Sequence, residues 1–285
     1  MRFYIVDVFA ETKYTGNQLA VFLPEEELKQ DEMQHIAQEM NFSETTFICS
    51  GKQDNGGYDV RIFTPDVEIP FAGHPTLGTA YIIHTILDKR SSDSILLNYC
   101  STSIPVRVID DIYTMSQDAP KFGMTYSNPD MVAEMVNISI QDINTEYPIQ
   151  LVSTGLPSFI VPLNSPEALS RCSIQHPLFR KFLDTVYKCN LLLFAPISDT
   201  HINVRVFLDD TGFLEDAATG SANGNLATYV LHYNLFGTDA VHYEVFQGIE
   251  MGRPSLLHIE ASRKGGEYNI RVGGKVHLIA SGEWI

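Results

Sequence analysis

The chain has 285 residues, which suits one large domain or two of ordinary size, and 44% of them are hydrophobic, enough to bury a substantial core. It carries 35 acidic residues against 19 basic ones, a formal net charge of −16. This balance argues against a nucleic acid or an anionic membrane surface as a partner, because both need clustered lysine and arginine. A small anionic substrate stays possible, since a local site can oppose the overall field.

The four cysteines, Cys49, Cys100, Cys172 and Cys189, are widely spaced and form no CxxC pair, which predicts reduced, partly buried thiols. The first ten residues, MRFYIVDVFA, do not resemble a signal peptide, because Asp7 interrupts the apolar stretch and no small-residue cleavage site follows. No apolar run approaches the roughly 18 residues that a membrane span needs. We therefore expect a soluble, cytoplasmic protein.

The first predicted elements are two strands and a helix. Residues 3–9 and 19–23 have strand patterns, with a turn at 15–17 between them. A helix is predicted to begin at Pro24, since proline favours the first helical position. Its apolar side chains recur at helical spacing: Leu28, Met33, Ile36, Ala37 and Met40. Asn41 is predicted to end this helix.

The next segment alternates between strand and turn signals. Residues 42–49 are predicted to form a strand, the sequence DNGG at 54–57 a hairpin turn, and residues 58–63 the returning strand. The motif PFAGHPTLGTA follows, and a helix is predicted over residues 76–87. His74 therefore stands just before the predicted start of a helix.

The second half of the chain repeats this order of elements. The sequence VRIF at 60–63 recurs as VRVF at 204–207, and each is followed by a glycine, a polar residue and a helix rich in small residues. These glycine and polar pairs are Gly73 with His74 and Gly220 with Ser221. The shared order predicts an internal duplication, with two similar lobes that face each other.

The boundary between the lobes is predicted where the segment SQDAP breaks the pattern. The N-terminal lobe would then comprise residues 1–115, and the C-terminal lobe residues 116–274. Residues 275–285 are predicted to return to the N-terminal lobe.

Both repeated turns end at the N-terminus of a predicted helix. There the first backbone N–H groups lack helical partners and carry a partial positive charge, which attracts anions. Gly73 and Gly220 would let a ligand approach the backbone closely, so the two helix starts predict a cradle for a carboxylate. The alternative is that both glycines only permit tight turns.

Three titratable residues are candidates for catalysis, two of them at these turns and one on a separate predicted strand, and each has a structural alternative. His74 either makes local hydrogen bonds at the helix start, or orients substrate and relays protons as a neutral imidazole. Glu44, on a predicted strand face with Phe42 and Thr46, is either solvated or buried with a raised pKa, as a general acid/base needs. Asp216 either caps the following turn or binds a hydroxyl or amine of a substrate.

Other chemistries have weaker signals. The sequence has no HExxH motif and no Cys/His cluster, so no metal site is expected. It also lacks GxxxxGK[ST] and GxGxxG, which argues against a nucleotide cradle. Ser221 lies in TGSANG rather than in a GxSxG elbow, so a serine hydrolase is a weaker alternative.

Five ordered motifs between the N-terminus and about residue 255 resemble the PhzF-like family of phenazine biosynthesis proteins. They are DVFAETKYTGNQLAVF, NFSETTF, IFTPDVEIPFAGHPTLGTA, EDAATGSANGNLATYV and QGIEMGRPS. The resemblance implies the α+β fold of diaminopimelate epimerase. In that fold, two pseudo-symmetric lobes each wrap a curved, mostly antiparallel sheet or barrel around a central helix, and the active site lies between the lobes.

The resemblance also implies a reaction. Epimerases of this fold use two cysteines beside these turns, but the stretches here read FAG at 71–73 and ATG at 218–220, so two-cysteine racemisation is not expected. Understood members of the PhzF-like family instead use a glutamate to move a proton between carbons of a small cyclic dihydro-hydroxyanthranilate-type acid. Glu44 matches that glutamate, and His74 and Asp216 match residues with supporting catalytic roles.

The resemblance further implies which groups hold the substrate: Ser43, Gly73, Gly220 and Ser221. This sequence departs from many relatives in two places, with EDAATGS where they have proline before ATGS, and GNQLA where they have GNPLA. Both changes affect the stiffness of a turn and leave the proposed acid/base in place.

The resemblance therefore predicts an isomerase of a small carboxylate that needs no metal, nucleotide or redox cofactor. It also implies a homodimer, although the sequence itself shows no interface signal. The family is broad, so a different small acid stays open as the substrate, and nothing in the sequence indicates a phenazine pathway. A non-catalytic ligand-binding or interaction scaffold of the same fold is the alternative.

Overall fold

The computed structural model describes residues 1–100, 102–186, 188–209 and 213–285. The chain folds into two compact units. Unit 1 comprises Met1–Ser116 together with Gly273–Ile285, and unit 2 comprises Gln117–Val272. Among the described residues, no helix combines the length and the apolar character that crossing a bilayer requires.

Unit 1 is built on one mixed sheet. Its elements in chain order are β1 (Arg2–Val8), β2 (Asn17–Leu23), α1 (Gln30–Met40), β3 (Thr45–Ile48), β4 (Tyr58–Phe63), β5 (Glu68–Ile69), α2 (Gly73–Ile82), β6 (Ser94–Tyr99), β7 (Thr102–Ile109) and β8 (Ile112–Ser116). The strand order is β1-β2-β3-β4-β6-β7-β8, with β2/β3 and β4/β6 parallel and the other pairs antiparallel. The last strand of the chain, Val276–Glu283, pairs antiparallel with β1.

Unit 2 repeats this plan with extra helices. Its elements are β9 (Lys121–Tyr126), α3 (Pro129–Met135), β10 (Ile149–Ser153), β11 (Pro157–Pro162), α4 (Pro166–Arg171), α5 (His176–Thr185), β12 (Asn190–Pro196), β13 (His201–Phe207), β14 (Glu215–Asp216), α6 (Gly220–His232), β15 (Ala240–Gln247), β16 (Ser255–Lys264) and β17 (Glu267–Gly274). β11/β12 and β13/β15 are parallel, while β9/β10, β10/β11, β12/β13 and β15/β16 are antiparallel. The final strand of the chain, β18 (Val276–Glu283), belongs to unit 1.

The same succession of pairings in both units confirms the predicted α+β class and the internal duplication. In each unit an antiparallel hairpin leads to a parallel neighbour, then to an antiparallel strand, a short hairpin strand and a helix. β3 is buried on both faces, because α2 packs on one side of the sheet and α1 also contacts β3 and β4.

The helix at the centre of each unit is buried on nearly all sides. Every residue of α2 except Tyr81 is buried, and the helix packs against β1, β2, β3 and β6. Every residue of α6 except His232 is buried against β10, β11, β15 and β16. A helix that is buried all round lies inside a core rather than on a surface, and the strands around both helices confirm the predicted central helices. A Cβ at Gly78 would lie 2.5 Å from the Leu19 side chain, so this close packing needs glycine.

The first helix begins later than predicted. α1 starts at Gln30 rather than at Pro24, because Lys29 is extended (φ −70°, ψ 151°) and occupies the N-cap position. Asp31 and Glu32 lie in the first turn, where acidic side chains favour the helix dipole. The predicted end is confirmed, since Asn41 adopts the left-handed conformation (φ 51°) and donates its N–H to the Ala37 carbonyl.

The central helix of unit 1 begins earlier than the predicted residue 76. Ala72 is extended (φ −151°, ψ 149°), and the helix starts at Gly73, so His74 and Pro75 lie in its first turn. Proline is tolerated there because its missing N–H would lack a helical partner in any case. At its other end the helix continues as a π-helical turn, Ile83–Leu87.

The four cysteines are free thiols, as predicted, but their burial differs from the prediction. Cys172 is buried and Cys189 is partly buried, whereas Cys49 and Cys100 are exposed. Cys49 and Cys100 lie at or beyond the ends of β3 and β6, where the strands leave the covered part of the sheet.

Candidate active site

The structure brings Glu44 and His74 together in unit 1. The Glu44 carboxylate oxygen Oε2 lies 3.5 Å from the His74 ring nitrogen Nε2. The His74 side chain is 5% exposed and that of Glu44 is 18% exposed, so the pair is largely shielded from water. An acid/base pair in a shielded position can exchange a proton with a bound molecule, because little water competes for it.

Glu44 does not lie in a strand, contrary to the prediction of a strand over residues 42–49. β3 begins at Thr45, and residues 42–44 form a bend between Asn41 and the strand. The left-handed Asn41 turns the chain abruptly out of α1, so pairing with β2 starts only at Thr45. The predicted shared face with Phe42 and Thr46 is therefore wrong. Ser43 lies in the same bend and is half-buried; its role in binding stays a prediction.

Asn17 belongs to the motif DVFAETKYTGNQLAVF and is not among the predicted site residues. It begins β2, is 6% exposed, and places its amide nitrogen Nδ2 3.5 Å from the second ring nitrogen of His74, Nδ1. An amide NH₂ can only donate, so this contact requires His74 Nδ1 to accept. In the neutral ring the proton then resides on Nε2, the nitrogen that faces Glu44. The length of the contact makes it a weak one.

A buried carboxylate, that of Asp7, holds the loop before Asn17, and no local pattern in the sequence predicts this role. Asp7 is 2% exposed and accepts a hydrogen bond of 2.7 Å from the backbone N–H of Tyr14. The turn also needs Gly16, whose φ of 72° is unfavourable for other residues and whose hypothetical Cβ would lie 2.9 Å from the Ala10 side chain. Asp7 and Gly16 thus fix the point at which β2, and with it Asn17, begins.

In unit 2 the second repeated turn holds Asp216. This residue ends the short strand β14, and its carboxylate oxygen Oδ2 accepts a 2.6 Å hydrogen bond from the Thr219 hydroxyl. The helix α6 then starts at Gly220, with Ser221 next to it and 5% exposed. Asp216 therefore does orient the turn locally, as the structural alternative predicted, and its functional role stays a prediction.

Neither central helix is capped by a side chain of its N-cap residue, Ala72 in α2 and Thr219 in α6. No acidic residue stands in the first turn of either helix. Gly73 and Gly220 are both buried at these starts. Such helix starts suit an anion, but the substrate-binding roles of the two glycines and of Ser221 stay predictions.

Each repeated hairpin is fixed by an arginine and a glutamate. In unit 1, Arg61 binds Glu68 through Nε and Nη2, both at 2.7 Å. In unit 2, Arg205 binds Glu215 in the same way, at 2.8 and 2.7 Å. The arginines lie within the repeated VRIF and VRVF segments, and the glutamates also follow the repeat, since each stands five residues before the helix-starting glycine. The pairs hold β5 and β14 in place ahead of the helices.

Comparisons with known proteins found matches over nearly the whole chain. The family model described as "Phenazine biosynthesis-like protein" (PhzC-PhzF) matches residues 6–282. The trans-2,3-dihydro-3-hydroxyanthranilate isomerase of Pseudomonas aeruginosa is 32% identical over 287 residues, covering 99% of this chain and 98% of the relative. The crystal structure of a phenazine biosynthesis protein of the PhzF family from Bacillus anthracis is similar with a TM-score of 0.89 at 22% identity, covering 100% of this chain and 99% of that one.

A more distant structure confirms the predicted epimerase-like fold. The hydroxyproline epimerase of Agrobacterium vitis, solved with bound trans-4-hydroxy-L-proline, is similar with a TM-score of 0.64. Its sequence is only 8% identical, over 99% of this chain and 90% of that one, so the likeness concerns the fold alone.

Proposed function

This chain belongs to the phenazine biosynthesis-like family and is an isomerase, and we propose that it moves a proton between two carbon atoms of a small cyclic carboxylic acid. The observation that supports this most directly is the contact of 3.5 Å between the Glu44 carboxylate and the His74 ring. A base must be held within hydrogen-bond reach of the proton it removes, and its surroundings must exclude competing water. The burial of His74 and the partial burial of Glu44 support such a role.

In the proposed reaction Glu44 acts first as a base and then as an acid. Its carboxylate removes a proton from one carbon, and the electron pair of the broken C–H bond moves into the conjugated system of the ring. The carboxylic acid formed on Glu44 then returns a proton to a different carbon. Substrate and product have the same composition and oxidation state, so the proposed step needs no oxidant, reductant or second reactant.

His74 is proposed to orient Glu44 and to relay protons. The Asn17 amide nitrogen near Nδ1 favours the tautomer with its proton on Nε2, the ring nitrogen that lies 3.5 Å from Glu44 Oε2. The carboxylate of the substrate would be bound by backbone N–H groups at the start of α2, near Gly73, with Ser43 beside it.

We further propose that Asp216 binds an amine or hydroxyl group of the substrate, with the helix start at Gly220 and Ser221 contributing. Its carboxylate oxygen is already oriented by Thr219 at 2.6 Å, which supports a fixed rather than a mobile acceptor.

The first compound to test is the one in the name of the Pseudomonas aeruginosa relative, trans-2,3-dihydro-3-hydroxyanthranilic acid. Proton NMR in heavy water would follow isomerisation and deuterium uptake with wild type, Glu44→Gln and Glu39→Gln. Glu39 is an exposed residue of α1 and serves as the matched control. We expect Glu44→Gln to lose turnover by at least about 10²-fold, as removal of a general base typically does, and Glu39→Gln to match wild type.

The outcomes separate the proposal from its alternative. Equal rates for wild type and Glu44→Gln would refute the assignment of the base. Binding of the acid, seen as line broadening, without exchange of carbon-bound protons in any variant would favour the non-catalytic scaffold. Exchange without net isomerisation would support the base and show that another acid of this class is the natural substrate.

A further inference from the structure

The turn that carries Asp216 is held by a buried side chain from a different part of unit 2. Gln247 is the last residue of β15 and is 0% exposed. Its amide oxygen Oε1 accepts from Asn223 Nδ2 at 2.9 Å and from the Thr219 backbone N–H at 3.2 Å. Its amide nitrogen Nε2 donates to the Asp216 carbonyl at 2.9 Å and to the Thr219 hydroxyl at 3.1 Å. These four bonds use the full capacity of the amide group.

The donor and the acceptor can be assigned for each hydrogen bond that leads from Gln247 through Thr219 to Asp216. Gln247 Nε2 can only donate, so the Thr219 hydroxyl oxygen accepts from it. A hydroxyl has one proton, and the Thr219 proton is directed to Asp216 Oδ2 at 2.6 Å. Gln247 therefore determines where the Thr219 hydroxyl lies, and Thr219 in turn determines where the Asp216 carboxylate lies.

The end of β15 is itself placed by the residue that follows Gln247. Gly248 has a φ of 74°, and a Cβ on it would lie 2.6 Å from the Ala217 carbonyl oxygen. Only glycine allows the strand to turn this close to the backbone of the Asp216 turn. The position of the Gln247 amide is therefore set by the backbone as well as by its hydrogen bonds.

Unit 1 has an equivalent contact between the end of a strand and the central helix, so this contact is a feature that both repeats share. Tyr99, the last residue of β6, occupies the position of Gln247, and its hydroxyl lies 2.8 Å from the Thr76 hydroxyl. Thr76 donates to the Ala72 carbonyl at 2.7 Å, as Asn223 donates to the Thr219 carbonyl at 3.0 Å. In both units the end of a parallel strand thus binds the fourth residue of the central helix, which binds the N-cap carbonyl. Within the part of the chain that the structure describes, the network extends to a carboxylate only in unit 2.

We propose that Gln247 is a positioning residue for Asp216, acting through the Thr219 hydroxyl. The inference rests on the proposed function, in which Asp216 binds the substrate. A purely structural role for Gln247 is the competing interpretation, because a buried amide with four bonds also stabilises the fold.

The test compares Gln247→Met, Thr219→Val and Thr219→Ser in the full chain, with Thr228→Val as control. Thr228 is a buried residue of α6 whose hydroxyl bonds the Gly224 carbonyl at 3.1 Å. Its loss therefore removes a buried hydroxyl from the same helix without touching the Asp216 turn. Isomerisation of trans-2,3-dihydro-3-hydroxyanthranilic acid is the kinetic readout, and thermal unfolding reports stability.

We expect Gln247→Met and Thr219→Val each to lower kcat by about tenfold or more, while Thr219→Ser and Thr228→Val stay within about threefold of wild type. The double variant Gln247→Met/Thr219→Val should be no slower than the slower single variant, because both changes break the same chain of bonds. Multiplied losses in the double variant, or a loss in Thr228→Val equal to that in Gln247→Met, would overturn the inference.

A crystal structure of Gln247→Met gives a readout that needs no activity. We expect the Asp216 carboxylate to leave its contact with Thr219, and an unchanged carboxylate would overturn the inference. Asp216→Asn separates the two proposals. If this variant is impaired but Gln247→Met and Thr219→Val are not, the inference fails and the proposed function stands. If Asp216→Asn matches wild type while Glu44→Gln is inactive, the role of Asp216 fails, and the inference fails with it.

Discussion

Replacing Arg205 by methionine is expected to destabilise the protein far more than the same change at Arg61. The two arginines hold equivalent positions in the repeated hairpins, and each makes a two-fold bond to a glutamate. Their surroundings differ, since the side chains of Arg205 and Glu215 are 7% and 15% exposed, whereas those of Arg61 and Glu68 are 31% and 30% exposed. The pair of substitutions therefore compares the same ion pair in a buried and in a half-exposed setting, and the buried arginine has further partners, including Glu250 at 3.8 Å.

The expected magnitudes follow from what each arginine leaves behind. Loss of one partner from a buried ion pair costs about 3–5 kcal/mol, because the remaining charge stays buried without compensation. Arg205 also donates to the carbonyls of Leu169 at 3.3 Å and Cys172 at 2.6 Å, which would lose that donor. Arg61 is solvent-accessible, so water can replace it, and its loss should cost no more than about 1 kcal/mol.

Urea denaturation with two probes measures both effects. Trp284 is the only tryptophan, and it packs against Phe3 and Phe22 in unit 1, so its fluorescence reports on that unit. Far-ultraviolet circular dichroism reports on both units. We expect a large fall in the dichroism midpoint for Arg205→Met and a small fall in the fluorescence midpoint for Arg61→Met. Equal losses of stability, or a larger loss for Arg61→Met, would refute the reasoning that burial and the additional carbonyl contacts make Arg205 the more important arginine.

Two further changes test other features of the fold. Gly248→Ala should cost at least about 2 kcal/mol, because it places a Cβ near the Ala217 carbonyl at positive φ, whereas Gly237→Ala, at a φ of 68° in open space, should cost about 1 kcal/mol; equal midpoints in urea would contradict this. Burial lowers the pKa of His84, which bonds the Tyr113 hydroxyl at 2.7 Å, so the unfolded chain takes up the proton first as the pH falls. The free energy of unfolding should therefore fall below about pH 6.5, by at most about 1.4 kcal/mol per pH unit from this group, and less in His84→Gln; parallel pH dependence of the two proteins would exclude His84 as the cause.

Local signals in the sequence predicted the existence of elements better than their ends. The turn at DNGG and the left-handed Asn41 follow from the few residues that tolerate such conformations, so they could be predicted from the residue types alone. The start of α1 could not, because the acidic run after Pro24 is compatible with a helix and only the extended Lys29 excludes it. The start of β3 at Thr45 depends on pairing with β2, which no local pattern contains.

The supporting contacts of the candidate site were beyond local reasoning because they join distant parts of the chain. Asn17 stands 57 positions before His74, and Gln247 stands 31 positions after Asp216. Such neighbours arise from the pairing of strands, which brings the ends of β2 and β15 beside the helix starts. Glu68 and Glu215, by contrast, could be predicted from the sequence, because their equal spacing from the two glycines is part of the repeat.

The two repeats share the same backbone arrangement of hairpin strand, N-cap and helix start, but they carry their ionisable groups at different positions of it. The equivalent positions of the two turns are Ile69 and Asp216, Ala72 and Thr219, His74 and Ser221, Thr76 and Asn223, and Tyr99 and Gln247. In unit 1 the N-cap residue has no hydroxyl, so the network from the strand end stops at the backbone, and the titratable group lies in the helix itself.

In unit 2 the helix position holds a serine, and the titratable group lies on the hairpin strand, where a hydroxyl at the N-cap can reach it. Asp216 and Thr219 therefore depend on each other. An aspartate alone at position 69 would lack the hydroxyl that orients Asp216, and a threonine alone at position 72 would have no carboxylate to receive its proton. The differences between the repeats are thus coupled, and Gln247 connects that pair to the end of β15, in addition to the pairing of Asp216 with β13.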